Sequence, residues 1–149
     1  MAKILIVYFS RTGCTEKMAQ YIAEGIRFTG SEAEIKKVST IKDADALAGY
    51  DGYLFGCPTY HRDMTQNFKT FLFLAEKAGL EGKAAGAFGS YTHSGDAPKI
   101  LADTMEYVLK MKLVPLGSFN ALEGKLKNED PEILKACQQY GKAVAELAG

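Results

Sequence analysis

No sign of charge prevails in this sequence. Eighteen lysines and arginines stand against eighteen aspartates and glutamates, a formal net charge of zero. Such a chain lacks the basic excess that marks a nucleic-acid partner. Long apolar runs are missing too: none approaches the roughly 20 residues that cross a bilayer, and the first residues lack a secretory signal pattern. No membrane association is expected. Cysteine is scarce, with Cys14, Cys57 and Cys137 scattered and no CxxC pair. That excludes a disulfide framework and a thiolate zinc site, and it predicts reduced thiols in the cytoplasm. The only two histidines, His61 and His93, have no carboxylate or thiol cluster at ligand spacing, so no metal site is expected. Neither GxxxxGK[ST] nor GxGxxG occurs, which excludes the common nucleotide and dinucleotide loops. There is no repeat, linker or low-complexity tract. A chain of 149 residues, 47% hydrophobic, is expected to fold as one domain over residues 1–149 with a substantial core.

What the chain does have is a strand running directly into a hydroxyl-rich turn. Ile4 to Phe9 is almost wholly apolar and β-prone, Ser10-Arg11-Thr12-Gly13-Cys14-Thr15 follows, and from Glu16 to about Phe28 the apolar residues recur at helical spacing. The start of a helix leaves backbone N–H groups unpaired and carries the positive end of the helix dipole. Ser10, Thr12 and Thr15 add neutral donors, and Gly13 lets the backbone come close to a ligand. A single N-cap needs one hydroxyl; three suit a phosphomonoester.

Further along, strand and helix patterns alternate. Strands are predicted near 3–9, 33–38, 51–57, 83–90 and 113–119. Helices are predicted at 16–28, around Phe68–Ala75, at 97–111 and from Asp130-Pro131 onward, with a short one at 43–47. The third long helix, about 97–111, shows Ile100, Leu101, Thr104, Met105, Val108 and Leu109 at helical spacing. Phe73 falls off the inner face of its helix and is assigned to an interface. Pro115 places the last strand at a sheet edge, and residues 120–129 read as a polar loop. This alternation demands right-handed crossovers and a buried parallel sheet, with ligands beyond the carboxyl ends of the strands. The turns after the first, third and fourth strands should therefore meet. They hold Ser10–Thr15, Pro58-Thr59-Tyr60-His61-Arg62-Asp63-Met64 and Gly89-Ser90-Tyr91-Thr92-His93-Ser94-Gly95. Tyr60 on one side and Tyr91 or His93 on the other suit a flat ring whose phosphorylated tail lies in the first turn.

Ser-x-Thr-Gly-x-Thr, Pro-Thr-Tyr and Gly-Ser-Tyr in these three turns resemble the flavodoxin family over nearly the whole chain. The stretch from Pro58 to Leu72 is also similar to the flavodoxin modules of diiron flavoproteins and to flavodoxin-like NAD(P)H:quinone oxidoreductases. The resemblance implies an α/β three-layer sandwich around a five-stranded parallel sheet of order 2-1-3-4-5, of the short-chain form, binding FMN noncovalently. It assigns Ser10, Arg11, Thr12, Gly13, Cys14 and Thr15 to the FMN phosphate. Pro58, Thr59, Tyr60 and His61 fall to one ring loop, and Ser90, Tyr91, Thr92, His93 and Gly95 to the other. It implies a soluble electron carrier, monomeric or weakly self-associating, working between a reductase and an acceptor protein. The alternative is an FMN-dependent NAD(P)H:quinone or flavin oxidoreductase.

Two features depart from a typical carrier. The family is usually strongly acidic, whereas this chain is balanced. His61 occupies a position where many members place a glycine whose peptide can flip toward the flavin. A side chain there adds a penalty of about 1 kcal/mol or more in the left-handed region. With Arg62 and His93 nearby, the flavin is expected to have a less negative potential than in typical members.

Overall fold

The computed structural model describes residues 2–149. Strand β1 (Lys3–Tyr8) leads into helix α1 (Cys14–Phe28), β2 (Glu32–Lys37), β3 (Gly52–Gly56), α2 (Gln66–Glu76), β4 (Ala84–Tyr91) and α3 (Asp96–Asp103). Then come β5 (Lys112–Leu113), β6 (Phe119–Leu122), α4 (Glu123–Lys127) and α5 (Pro131–Ala148). The sheet is parallel, in the order β2-β1-β3-β4-β5, with β6 also pairing with β4. Ile6 lies between Ile35 and Leu54 in register, and Gly56 faces Tyr8 and Phe88. This is the predicted flavodoxin-like α/β topology.

Alternation along the central strands supplies two separate cores. Leu5, Val7, Tyr53, Phe55, Ala85 and Ala87 face α2, α3 and the turn that continues α3, where Phe68, Phe71, Leu101 and Met105 are buried. Ile4, Ile6, Leu54 and Phe88 face α1 and α5, against Met18, Ile22, Ile26, Tyr140 and Val144. Helices α1 and α5 touch through glycine on both sides. A Cβ on Gly25 would stand 1.8 Å from the Gln138 carbonyl oxygen, and one on Gly141 would stand 2.1 Å from that of Ile22. Asp130 caps α5 by accepting the Glu132 N–H, with Pro131 in the first turn, as the sequence indicates.

Three expectations need correction at the end of the sheet. The strand expected over 113–119 is interrupted: β5 ends at Leu113 and pairing resumes at Phe119. Pro115 has no N–H for the ladder and Gly117 turns the chain at φ 77°, so residues 114–118 loop out opposite Gly86 and Ala87. The Tyr140 hydroxyl fills the gap. It accepts the Ala87 N–H at 2.9 Å and donates to the Gly117 carbonyl at 2.6 Å. Residues 120–129 are not a loop, for β6 and α4 occupy 119–127. The helix expected to reach residue 111 changes to a π turn at Thr104–Val108. Met105 and Leu109 are buried, while Val108 in the π turn and Ile100 ahead of it are exposed.

Candidate functional site

The carboxyl ends of β1, β3 and β4 bring three turns together, as parallel strands with α crossovers require. The first turn is shaped by Gly13, which holds φ 89° just before α1, with open space where a Cβ would project. Ser10 Oγ accepts the Gly13 N–H at 3.1 Å. Lys17 N–H is the first to bond back into the helix, to the Gly13 carbonyl, so the N–H groups of Cys14, Thr15 and Glu16 have no intrahelical acceptor. Tyr8, the last residue of β1, donates to Glu16 Oε1 at 2.8 Å and ties the strand end to the first helical turn. Burial and that carboxylate push the Tyr8 phenol up to about 12.

The second turn is a closed hairpin. Tyr60 N–H bonds to the Asp63 carbonyl at 2.8 Å, and Asp63 N–H returns to the Tyr60 carbonyl at 3.0 Å. The two residues between them, His61 and Arg62, both take positive φ, 51° and 62°. Side chains are disfavoured there, so this turn stores strain. Its base is fixed by Lys69, whose ammonium lies 2.5 Å from Asp63 and, together with the Met64 N–H, holds that carboxyl below the usual carboxylate range.

The third turn follows Tyr91. Cross-links join all three turns. Thr15, in the first turn of α1 behind the first loop, and Ser90, near the end of β4 ahead of the third, share a buried hydrogen bond of 2.8 Å. Thr59 Oγ1 accepts the N–H of Ala97 at 3.0 Å, tying the second turn to the start of α3 just after the third. The Arg11 guanidinium lies 6.0 Å from the centre of the Tyr60 ring, over its face, between the first and second. Arg62 Nε stands 3.5 Å from Asp96 Oδ2 across the mouth.

Arg11, Thr59, Tyr60, His61, Thr92, His93 and Ser94 line one cleft of about 480 Å³. A second of about 490 Å³ continues along Tyr60 and His61 to Phe9 and Met64. Arg11, Thr59, Tyr60, His61, Thr92 and His93, all singled out in the sequence, thus share one space. Burial raises the Tyr60 phenol, and the Arg11 charge partly offsets that. Other sequence candidates do not face the cleft. Pro58, Cys14, Thr15 and Ser90 are buried, with Cys14 packed into the α1–α5 core. Tyr91 is half-buried inside β4, and Gly95 lies against Asn120.

Several contributors escaped the sequence reading. Asn120 Nδ2 donates to the Gly95 carbonyl at 2.8 Å and pins the third turn, while its Oδ1 is buried without a partner. Glu123 Oε1 accepts from Thr12 Oγ1 at 2.9 Å. Both follow from β6 and α4, which the polar composition of 120–129 concealed. Ser94 had no signal beyond its place in the turn.

The family model described as Flavodoxin matches residues 6–140. A flavodoxin of Maridesulfovibrio salexigens is 35% identical over 139 residues, covering 89% of this chain and 90% of the relative. An NAD(P)H dehydrogenase (quinone) of Rhodopseudomonas palustris is 31% identical over 150 residues, covering 85% and 75%. The solved structure of a flavodoxin from the domain Archaea superimposes with a TM-score of 0.86 at 26% identity, covering 98% of each chain. On these matches, together with the strand order, this chain belongs to the flavodoxin family.

Proposed function

We propose that this chain, acting as one domain, binds FMN where its three turns converge and carries electrons between a reductase and an acceptor protein in the cytoplasm. The observation that carries this reading is the open helix start at Gly13 beside a cleft bounded by Tyr60 and His93. The donor set fits the group. The N–H groups of Cys14, Thr15 and Glu16 with the Ser10 hydroxyl would hold the phosphate, joined by the Thr12 hydroxyl once it turns from Glu123, and no cation is needed there. Arg11 is turned to the Tyr60 ring instead. Tyr60 would cover one face of the ring, with Thr92 and His93 toward the other. Bound FMN supplies the electron chemistry. The chain's own residues bind, orient and shield, and none has to serve as acid or base.

The relative named as an NAD(P)H dehydrogenase (quinone) supports a second reading, in which the same cleft also receives a nicotinamide donor. One experiment separates the two. FMN-loaded protein is expected to accept electrons from a flavodoxin reductase and to pass them to a one-electron protein acceptor, without oxidising NADH or NADPH alone. Direct turnover of NAD(P)H with a quinone would establish the enzyme instead. Protein that neither purifies yellow nor takes up FMN would overturn both.

A further inference from the structure

The outer surface of α2 carries an exposed aromatic side chain beside an open groove. Phe73 is 72% exposed at its centre, as its place off the inner face implies. Beside it an open, mostly apolar groove of about 320 Å³ runs between α2 and the π turn that follows α3, floored by Met64, Leu72 and Thr104. The π turn presents Val108 to this groove, 53% exposed, and leaves the neighbouring Tyr107 72% exposed. Lys69 and Glu76, two helical turns apart on either side of Phe73, complete the rim.

This arrangement is complementary to itself. Set two copies of α2 antiparallel about a two-fold axis between Leu72 and Phe73. Each Phe73 then meets the Leu72 side of the other groove, and each Lys69 meets the other copy's Glu76. Lys69 already contacts Asp63, but an ammonium has three donors and can serve both carboxylates. The rim carries both signs at matched spacing, so a partner of one charge would satisfy only half of it. The chain's zero net charge removes the repulsion that keeps strongly charged proteins apart. We propose that two copies of this chain associate through antiparallel α2 helices, each Phe73 entering the groove between α2 and the π turn of the other.

Phe73, Tyr107 and Val108 together offer roughly 400 Å² of apolar surface per copy, about half the ~800 Å² that each partner buries in a standard interface. The dimer is therefore weak and reversible. Sedimentation equilibrium over a wide concentration range is expected to show the mass rising from 16.2 kDa toward twice that value. Phe73→Glu should weaken association at least tenfold. Phe28→Glu should not, although Phe28 is 68% exposed, because it stands on α1 across the sheet. A second readout keeps the test independent of these charges. Phe73→Cys should form a disulfide-linked dimer under mild oxidation faster than Phe28→Cys, with no interference from the three native thiols, which are all buried. A mass fixed at 16.2 kDa at the highest concentration, equal effects of the two glutamate variants, or equal cross-linking at the two sites would overturn the proposal and leave the groove to another occupant or to solvent.

Discussion

Tyr140→Phe removes one oxygen atom and reopens the gap in the sheet. In the native chain the hydroxyl serves the Ala87 N–H and the Gly117 carbonyl, 2.9 Å and 2.6 Å away, where Pro115 has interrupted the ladder. Phenylalanine fills the same volume but leaves a buried donor without an acceptor, at a cost of about 1–3 kcal/mol. For a chain of this length that lowers Tm by roughly 3–10 °C. The effect has a pH signature. Burial pushes the Tyr140 phenol well above its ordinary value, so its contribution is complete below about pH 10, where the unfolded chain begins to ionise, and declines as pH climbs toward the folded-state value. Between pH 10 and 11 the gap between wild type and variant should therefore narrow by about 1 kcal/mol. Urea unfolding at pH 7, 10 and 11 measures both quantities. A variant within about 0.5 kcal/mol of wild type at pH 7, or a gap that does not narrow in alkali, would refute the assignment.

The strained hairpin makes a different claim. His61→Gly should stabilise the flavin-free protein relative to His61→Ala by roughly 1 kcal/mol in thermal unfolding, because both lose the imidazole but only glycine accepts φ 51° freely; equal stabilities would remove strain from the account. Asn120→Ala frees the Gly95 carbonyl and should weaken FMN binding about three- to tenfold by fluorescence titration, with an unchanged affinity counting against the clamp. Arg11→Gln withdraws a cation from the cleft and should make the bound flavin's potential more negative by about 10–50 mV; no shift in a redox titration would mean that the guanidinium charge is screened.

Most of the fold could be read from periodicity. The continuous apolar run from Ile4 to Phe9, the helical spacing of Met18, Ile22 and Ile26, and the cap at Asp130-Pro131 each act locally, and each element formed where they lie. The end of the sheet resisted because its structure depends on a distant partner. Nothing local announces that Tyr140 will replace a ladder bond, or that Phe119–Leu122 will find β4 beyond a proline. The π turn at Thr104–Val108 is hidden for a related reason: a 3.6-residue period extrapolates an α-helix and does not announce a wider turn within it. At the candidate site, Gly13, Tyr60 and His93 stand out in the sequence by unusual backbone or flat side chains, and the fold brings their turns together. Asn120 and Glu123 were not, because ordinary polar residues become informative only once a strand brings them to the first and third turns.

The central claim is that an open helix start and a flanking cleft together hold one phosphorylated flavin. Calorimetric titration of flavin-free protein with FMN and, separately, with riboflavin tests it most directly. The account predicts one FMN per chain, bound at least about a hundredfold more tightly than riboflavin, since only FMN engages the N–H groups after Gly13. Equal affinities for the two, or no heat with either, would contradict it.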